Sequence, residues 1–245
     1  MGVLAFAPDY FKEFRDHRAL CHLETPRRID SHESGLAFRT YETHAGSRYP
    51  SMSSLTKLLS EDAIAKWQAR VGKDEAGRVS RTAAGRGGDL HLMCELFLKG
   101  QQADFANHYR TAPPQAKQCW AAMRNALITN VDDLFGMECQ MYSDRLRLAG
   151  TADLIAMYNG KASVIDFKTS LKPKKLEWIE GYMIQCEGYA QMWEERTDGL
   201  QKIEQSVVLI ANDLTSELQV FIAPRGQYNK ALTDLRLRFF KRHGL

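Results

Sequence analysis

The feature that most constrains this chain is a pair of extended runs joined by Tyr158-Asn159-Gly160-Lys161. Asn-Gly is the preferred centre of a tight antiparallel turn, because both central positions need positive φ. The run before it carries Leu146, Leu148, Thr151, Asp153, Ile155 and Met157, and the run after it carries Ala162, Val164, Asp166 and Lys168. The pattern predicts a hairpin with Asp166 and Lys168 two apart on one face and Asp153 across the pair, near one or the other. Met137, Cys139 and Met141 alternate with polar residues just upstream, which makes three strands in succession.

Two carboxylates on neighbouring strands can share a hard cation, for which oxygen ligands select Mg2+ or Mn2+, and a lysine beside them can orient or deprotonate a water. An isolated Asp-x-Lys is more often a solvated ion pair on an exposed sheet. Here Val164 and Ile165 precede Asp166, Phe167 follows it, and Leu154 and Ile155 follow Asp153. Acids inside such apolar runs need a partner, since burying an unpaired charge is costly.

Elsewhere, residues 38–50 read as two short extended segments around a Gly-containing turn. Ser53 or Ser54 is placed to cap a helix through Leu55, Leu58 and Leu59 that continues past Ala63 and Trp67. A helix over 73–99 contains Gly85, Gly87 and Gly88, which mark a bend or a close approach of backbone to something else. Helices over Gln115–Leu127, Leu176–Glu195 and Tyr228–Arg242 and a strand over Gln205–Ala211 complete the pattern. In the last helix Arg236, Arg238, Lys241 and Arg242 read as a solvated face. The class is α/β, divided as an N-terminal region 1–72 and a core 73–245.

Composition excludes several alternatives. With 44% hydrophobic and 26% charged residues the chain is an ordinary globular one. A net charge of +3 does not announce a nucleic-acid partner, so any such case rests on local charge placement. Cys21, Cys94, Cys119, Cys139 and Cys186 are spread singly, against a disulfide framework or a zinc site and for a reducing compartment. No apolar run approaches the roughly 18–20 residues of a membrane span, and the opening matches neither a secretory nor an import leader. A cytoplasmic, membrane-free protein is expected.

Gly150-Thr151-Ala152-Asp153, Ile165-Asp166-Phe167-Lys168-Thr169-Ser170, and Gln185 with Tyr189 together resemble the RecB-type branch of the PD-(D/E)xK nucleases, with Gly87 to His91 matching its Gly-x-x-x-His. Tyr49-Pro50-Ser51, Ser53-Ser54 and Lys66-Trp67 resemble the mitochondrial genome maintenance exonuclease family and its phage relatives. The resemblance covers residues 38–211. It implies a restriction-endonuclease-like αβββαβ core with a mixed sheet and a helical N-terminal addition, the segment 1–72 admitting substrate. It also implies that Asp153 and Asp166 ligate Mg2+ or Mn2+ with the Phe167 carbonyl and His91. Lys168 then positions the water, Glu95 supports a metal, and Gln185 and Tyr189 touch the lysine and the DNA backbone. Strand contacts are expected from Tyr49, Ser53, Ser54, Trp67, Arg78, Arg81, Arg86, Thr169, Ser170, Lys172 and Tyr189, with Lys174 and Lys175 nearby. No iron-sulphur cluster is expected, because no cysteines cluster after Cys186. The implied activity is a DNA exonuclease acting on single-stranded ends or flaps in replication, recombination or repair, in a phage or its host. A structure-selective endonuclease and a non-catalytic DNA-binding module of the same fold are the alternatives.

Overall fold

The computed structural model describes residues 6–7, 10–18 and 23–245; Cys21 and the opening Met-Gly lie outside the described residues. The N-terminal part holds β1 (Arg15–Asp16), β2 (Arg27–Ile29), α1 (Ser31–Ser34), β3 (Thr40–Glu42), β4 (Arg48–Pro50), α2 (Met52–Lys57) and α3 (Glu61–Val71). Then come α4 (Lys73–Leu98), α5 (Gln102–Thr111), α6 (Pro114–Asn130), β5 (Val131–Ser143), β6 (Leu148–Tyr158) and β7 (Lys161–Ser170). A 3-10 turn over Leu176–Trp178 precedes α7 (Glu180–Arg196), β8 (Gln205–Asn212), β9 (Leu218–Pro224) and α8 (Asn229–His243).

The main sheet has six strands in the order β1-β5-β6-β7-β8-β9. β5, β6 and β7 form an antiparallel meander, β8 lies parallel to β7, and β9 closes the edge antiparallel to β8. A parallel neighbour requires a crossover, which α7 supplies. The run α6-β5-β6-β7-α7-β8 is the expected αβββαβ order, in a mixed sheet. The turn between β6 and β7 is as its sequence predicts, with Asn159 and Gly160 at φ 51° and 74°.

Helices cover both faces of this sheet. On one, α4, α5 and α6 bring Phe97, Phe105, Trp120 and Leu127 against Leu154, Ile165 and Leu209. On the other, α2, α7 and α8 bring Met52, Leu55, Trp193 and Phe239 against Ile155, Val164 and Val208. β8 is buried along its whole length, as a strand covered on both faces must be. Among the described residues no helix is long and apolar enough to cross a membrane.

Several expectations change. The single helix expected through Leu55 and Trp67 is two, because α2 buries Met52 and Leu55 against α7 while α3, which buries nothing, turns to lie along α4. The cap of α2 is Ser51, whose side chain accepts from the Ser54 backbone N–H at 3.1 Å; Ser54 is already inside the first turn. α4 runs unbroken through Gly85, Gly87 and Gly88; a Cβ at Gly85 or Gly88 would meet nothing within 4 Å, and one at Gly87 would come only into ordinary contact, 3.9 Å from Thr169 Oγ1. The N-terminal addition is not helical throughout, since β2 joins the expected β3–β4 hairpin in a three-stranded sheet. β5 begins at Val131, upstream of the Met137-Cys139-Met141 alternation, and β9 adds an edge strand that the alternation did not reveal.

Candidate active site and its flanking clefts

β6 and β7 are paired from Tyr158 opposite Lys161 to Leu154 opposite Ile165, and there the ladder ends. Instead of the next backbone rung, Asp153 Oδ2 accepts from the Phe167 N–H at 2.8 Å. In this fork Asp166 is 1% exposed and takes a hydrogen bond of 2.5 Å from Lys168 Nζ on its Oδ1. Its Oδ2 is buried without a partner among the described residues. Burial raises the Asp166 carboxyl, Lys168 opposes that and Asp153 adds to it, leaving the group at about 6. For Lys168, burial alone would favour the neutral amine. The charges of Asp166 and Asp153 outweigh it, so the lysine holds its proton more firmly than usual. Its ammonium also sits 5.2 Å from the centre of the Tyr182 ring.

On the α4 side, His91 Nε2 donates to the Phe167 carbonyl at 2.8 Å. Its Nδ1 then faces Asp153 at 3.6 Å and Glu138 at 3.9 Å. Burial works against the imidazolium, but Asp153 and the Glu138 hydrogen bond prevail and push His91 up to about 9. His91, Glu138 and Asp153 each present a ligand atom, all within 4.8 Å of one another. Glu138 is bracketed by the pairs Met137–Leu154 and Cys139–Ala152, so it stands opposite Asp153. Its φ of 47° puts it in the left-handed region, a strain that a non-glycine residue adopts only when its surroundings hold it.

A divalent cation fits these residues. The donors are mainly carboxylate oxygens, and the partnerless Oδ2 of buried Asp166 has a reason to exist if a cation satisfies it. The ligand atoms that converge to hold it would be those of Asp153, Glu138 and, once Nδ1 has lost its proton, His91; the buried Oδ2 of Asp166 is the further oxygen that the fork offers. Sequence reasoning missed Glu138; its only mark is a polar position in the Met137-Cys139-Met141 alternation, and its facing of Asp153 depends on the β5–β6 register. Glu95 is not brought in, because it pairs along α4 with Lys99 at i,i+4.

On α7, Gln185 Nε2 donates to the Tyr189 hydroxyl at 2.8 Å. Tyr189 is only 3% exposed, so it supports the site from beneath rather than presenting a surface to a strand. Its ring explains Gly150: a Cβ there would stand 2.7 Å from Tyr189 Cε1. Gly150→Ala is therefore an overpacking change and is expected to cost about 1–3 kcal/mol. Urea unfolding of the variant measures this; an unchanged midpoint would mean that the ring has room to retreat.

Two clefts flank the fork. One, of about 830 Å3, is lined by Trp67, Arg78, Arg86, Thr169, Ser170 and Lys172, six of the predicted strand-contact residues. The other, of about 620 Å3, includes Ser53, Tyr182 and Gln185. Within the first, Arg78 is paired with Glu75 and Arg86 with Asp213. Neither cleft is lined by Tyr49, Ser54 or Arg81. Tyr49 instead donates to Asp144 at 2.7 Å, and Ser54 is tied to Ser51 at 2.8 Å. Arg70 and Trp178 line the clefts without having been singled out from the sequence.

No family model matches the sequence. The crystal structure of SSO0001 superimposes with a TM-score of 0.37 and 16% identity, over 75% of this chain and 70% of that one. A 138-residue stretch is 25% identical to mitochondrial genome maintenance exonuclease 1 of Mus musculus, covering 51% of this chain and 39% of that protein. The chain is thus similar, over about half its own length and about two-fifths of the relative's, to a curated exonuclease.

Proposed function

We propose that this chain is a divalent-cation-dependent deoxyribonuclease of the PD-(D/E)xK type, hydrolysing phosphodiester bonds at free single-stranded ends or flaps during DNA replication, recombination or repair. The observation that carries the reading is the buried Asp166, with one oxygen on Lys168 and the other partnerless, at a strand fork that also holds Asp153. A structural ion pair would satisfy both oxygens, whereas a carboxylate poised for a cation leaves one free. The name of the mouse relative supports the exonuclease form.

In this reaction a water oxygen forms a bond to phosphorus as the P–O3′ bond breaks, the attacking water gives a proton to solvent, and the departing 3′ oxygen takes one from solvent to become the 3′ hydroxyl. A bound cation supplies charge neutralisation on the phosphate and on the departing oxygen. Lys168, firmly protonated, orients the water and offsets phosphate charge rather than acting as a base. Asp153 fixes the fork through the Phe167 N–H, and His91 fixes the Phe167 carbonyl from the opposite side. The segment 1–72 and the basic cleft admit the strand.

The test is cleavage of end-labelled single-stranded and duplex DNA with Mg2+, Mn2+ or EDTA. Degradation is expected with either cation and absent in EDTA, and Lys168→Ala is expected to slow it by about a hundredfold or more. Release of labelled mononucleotides would mark exonuclease action, and internal fragments would favour the endonuclease. DNA binding without cleavage under any of these cations would overturn the enzymatic reading.

A further inference from the structure

Tryptophan is rarely left in water, yet Trp178 is 57% exposed and lies beside Leu171 and Leu176, exposed 52% and 59%. An apolar patch of this kind on a soluble surface usually marks a contact site. Trp178 lines both clefts and so stands between them. Its backbone is held firmly: Trp178 N donates to Lys175 O at 2.9 Å in the 3-10 turn, and the next residue, Ile179, is fully buried. The turn therefore fixes where the ring is carried, and Lys175 Nζ stands 5.5 Å from its centre.

On the side of the larger cleft the chemistry points to an anionic, flat-faced ligand, whereas the smaller cleft carries Glu177 and Glu180 beside Lys57. Arg70, Lys172 and Lys174 line the larger cleft, and among the described residues none of them has an acidic partner. Trp67 lines the same cleft, so two indoles and three free cations share one wall-to-wall space. Cations follow phosphates and indoles stack on bases, which in single strands have their faces exposed and in duplexes do not. The remaining tryptophans, Trp120 and Trp193, are buried and have no such role.

We propose that Trp178 is a base-stacking post that seats an unpaired nucleotide at the junction of the two clefts and so makes single strands, rather than duplexes, the form this site accepts. This rests on the nuclease reading above and adds to it the residue that selects the strand form. Lys172 and its neighbours would hold phosphates whatever base is attached; Trp178 would respond only to the base.

The experiment uses the whole chain in EDTA, so that nothing is cut, and measures its affinity for a short fluorescent oligothymidylate and for an abasic strand with the same number of phosphates. Trp178→Ala is expected to weaken the base-bearing strand by roughly tenfold and to leave the abasic strand unchanged, with Trp178→Phe keeping most of the preference. Lys172→Ala is expected to weaken both strands alike. If Trp178→Ala weakens both strands equally, or neither, the stacking post is wrong while cation-dependent cleavage still stands. If wild type binds neither strand and cleaves no DNA, the nuclease reading itself falls.

Discussion

Asp166→Asn is expected to reduce cleavage by about a thousandfold or more, since a cation held at this position supplies several kcal/mol of transition-state stabilisation. The amide matches the carboxylate in shape, and Lys168 keeps Asp153 nearby, so the fold should persist. A second readout separates cation loss from structural damage. Burial raises the folded-state Asp166 carboxyl to about 6, above its value in an unfolded chain. The stability this contributes is fully present below the unfolded pKa and is lost as pH rises through about 6. In EDTA, wild type should therefore lose stability relative to Asp166→Asn between about pH 4 and about pH 7. Mg2+ at neutral pH should raise the unfolding temperature of wild type and leave that of the variant unmoved, because a cation that binds only the folded state stabilises it. Parallel pH curves would mean that burial does not raise the Asp166 carboxyl, and an equal response to Mg2+ would remove Asp166 from the cation site.

Asp213→Ala is expected to destabilise the fold by about 3–5 kcal/mol. Its side chain is 4% exposed and bonds at 2.6 Å to Arg86, which is 11% exposed, so the alanine strands a buried guanidinium. The pair ties α4 to the end of β8. Asp213 N also donates to Ser170 O at 3.1 Å, two residues beyond Lys168, so the loss should reach the fork. The pair is imperfect, because Arg86 Nε and Asp213 Oδ1 are buried without partners among the described residues. Replacing both, as Arg86→Met with Asp213→Leu, should accordingly recover most of the stability. Urea unfolding of the single and double variants decides it; a single variant within about 1 kcal/mol of wild type would show that Arg86 finds water instead.

The two acids and the lysine were legible because a tight turn and a two-residue period are local properties. Asn159-Gly160 fixes where the hairpin folds, and the spacing of Asp166 and Lys168 puts them on one face whatever the rest of the chain does. Gln185 and Tyr189 were legible as an i,i+4 pair for the same reason, and they are hydrogen-bonded. Glu95 and Glu138 show where this stops. Both are acids near the fork in sequence-based expectation or in space, but Glu95 is drawn to a cation one helical turn away, while Glu138 reaches His91 and Asp153 through a strand register and a strained backbone. Edge strand β9 gave no alternation because Val220 and Ile222, which stand half-exposed, are apolar where an alternating strand would carry polar residues.

By itself, then, the sequence determined the α/β class, the hairpin, the helical periods and the placing of Asp153, Asp166 and Lys168 on its two strands, since each follows from torsional preference or side-chain spacing along a few residues. The tertiary structure alone decided that the β6–β7 ladder opens at Asp153, that Glu138 faces it, that one oxygen of Asp166 is buried without a partner, and that Trp178 stands exposed between two clefts. Those properties depend on which remote segments exclude water from one another and in what register they pair. Burial and register are set by the packing of the whole chain, so no short stretch of it encodes them.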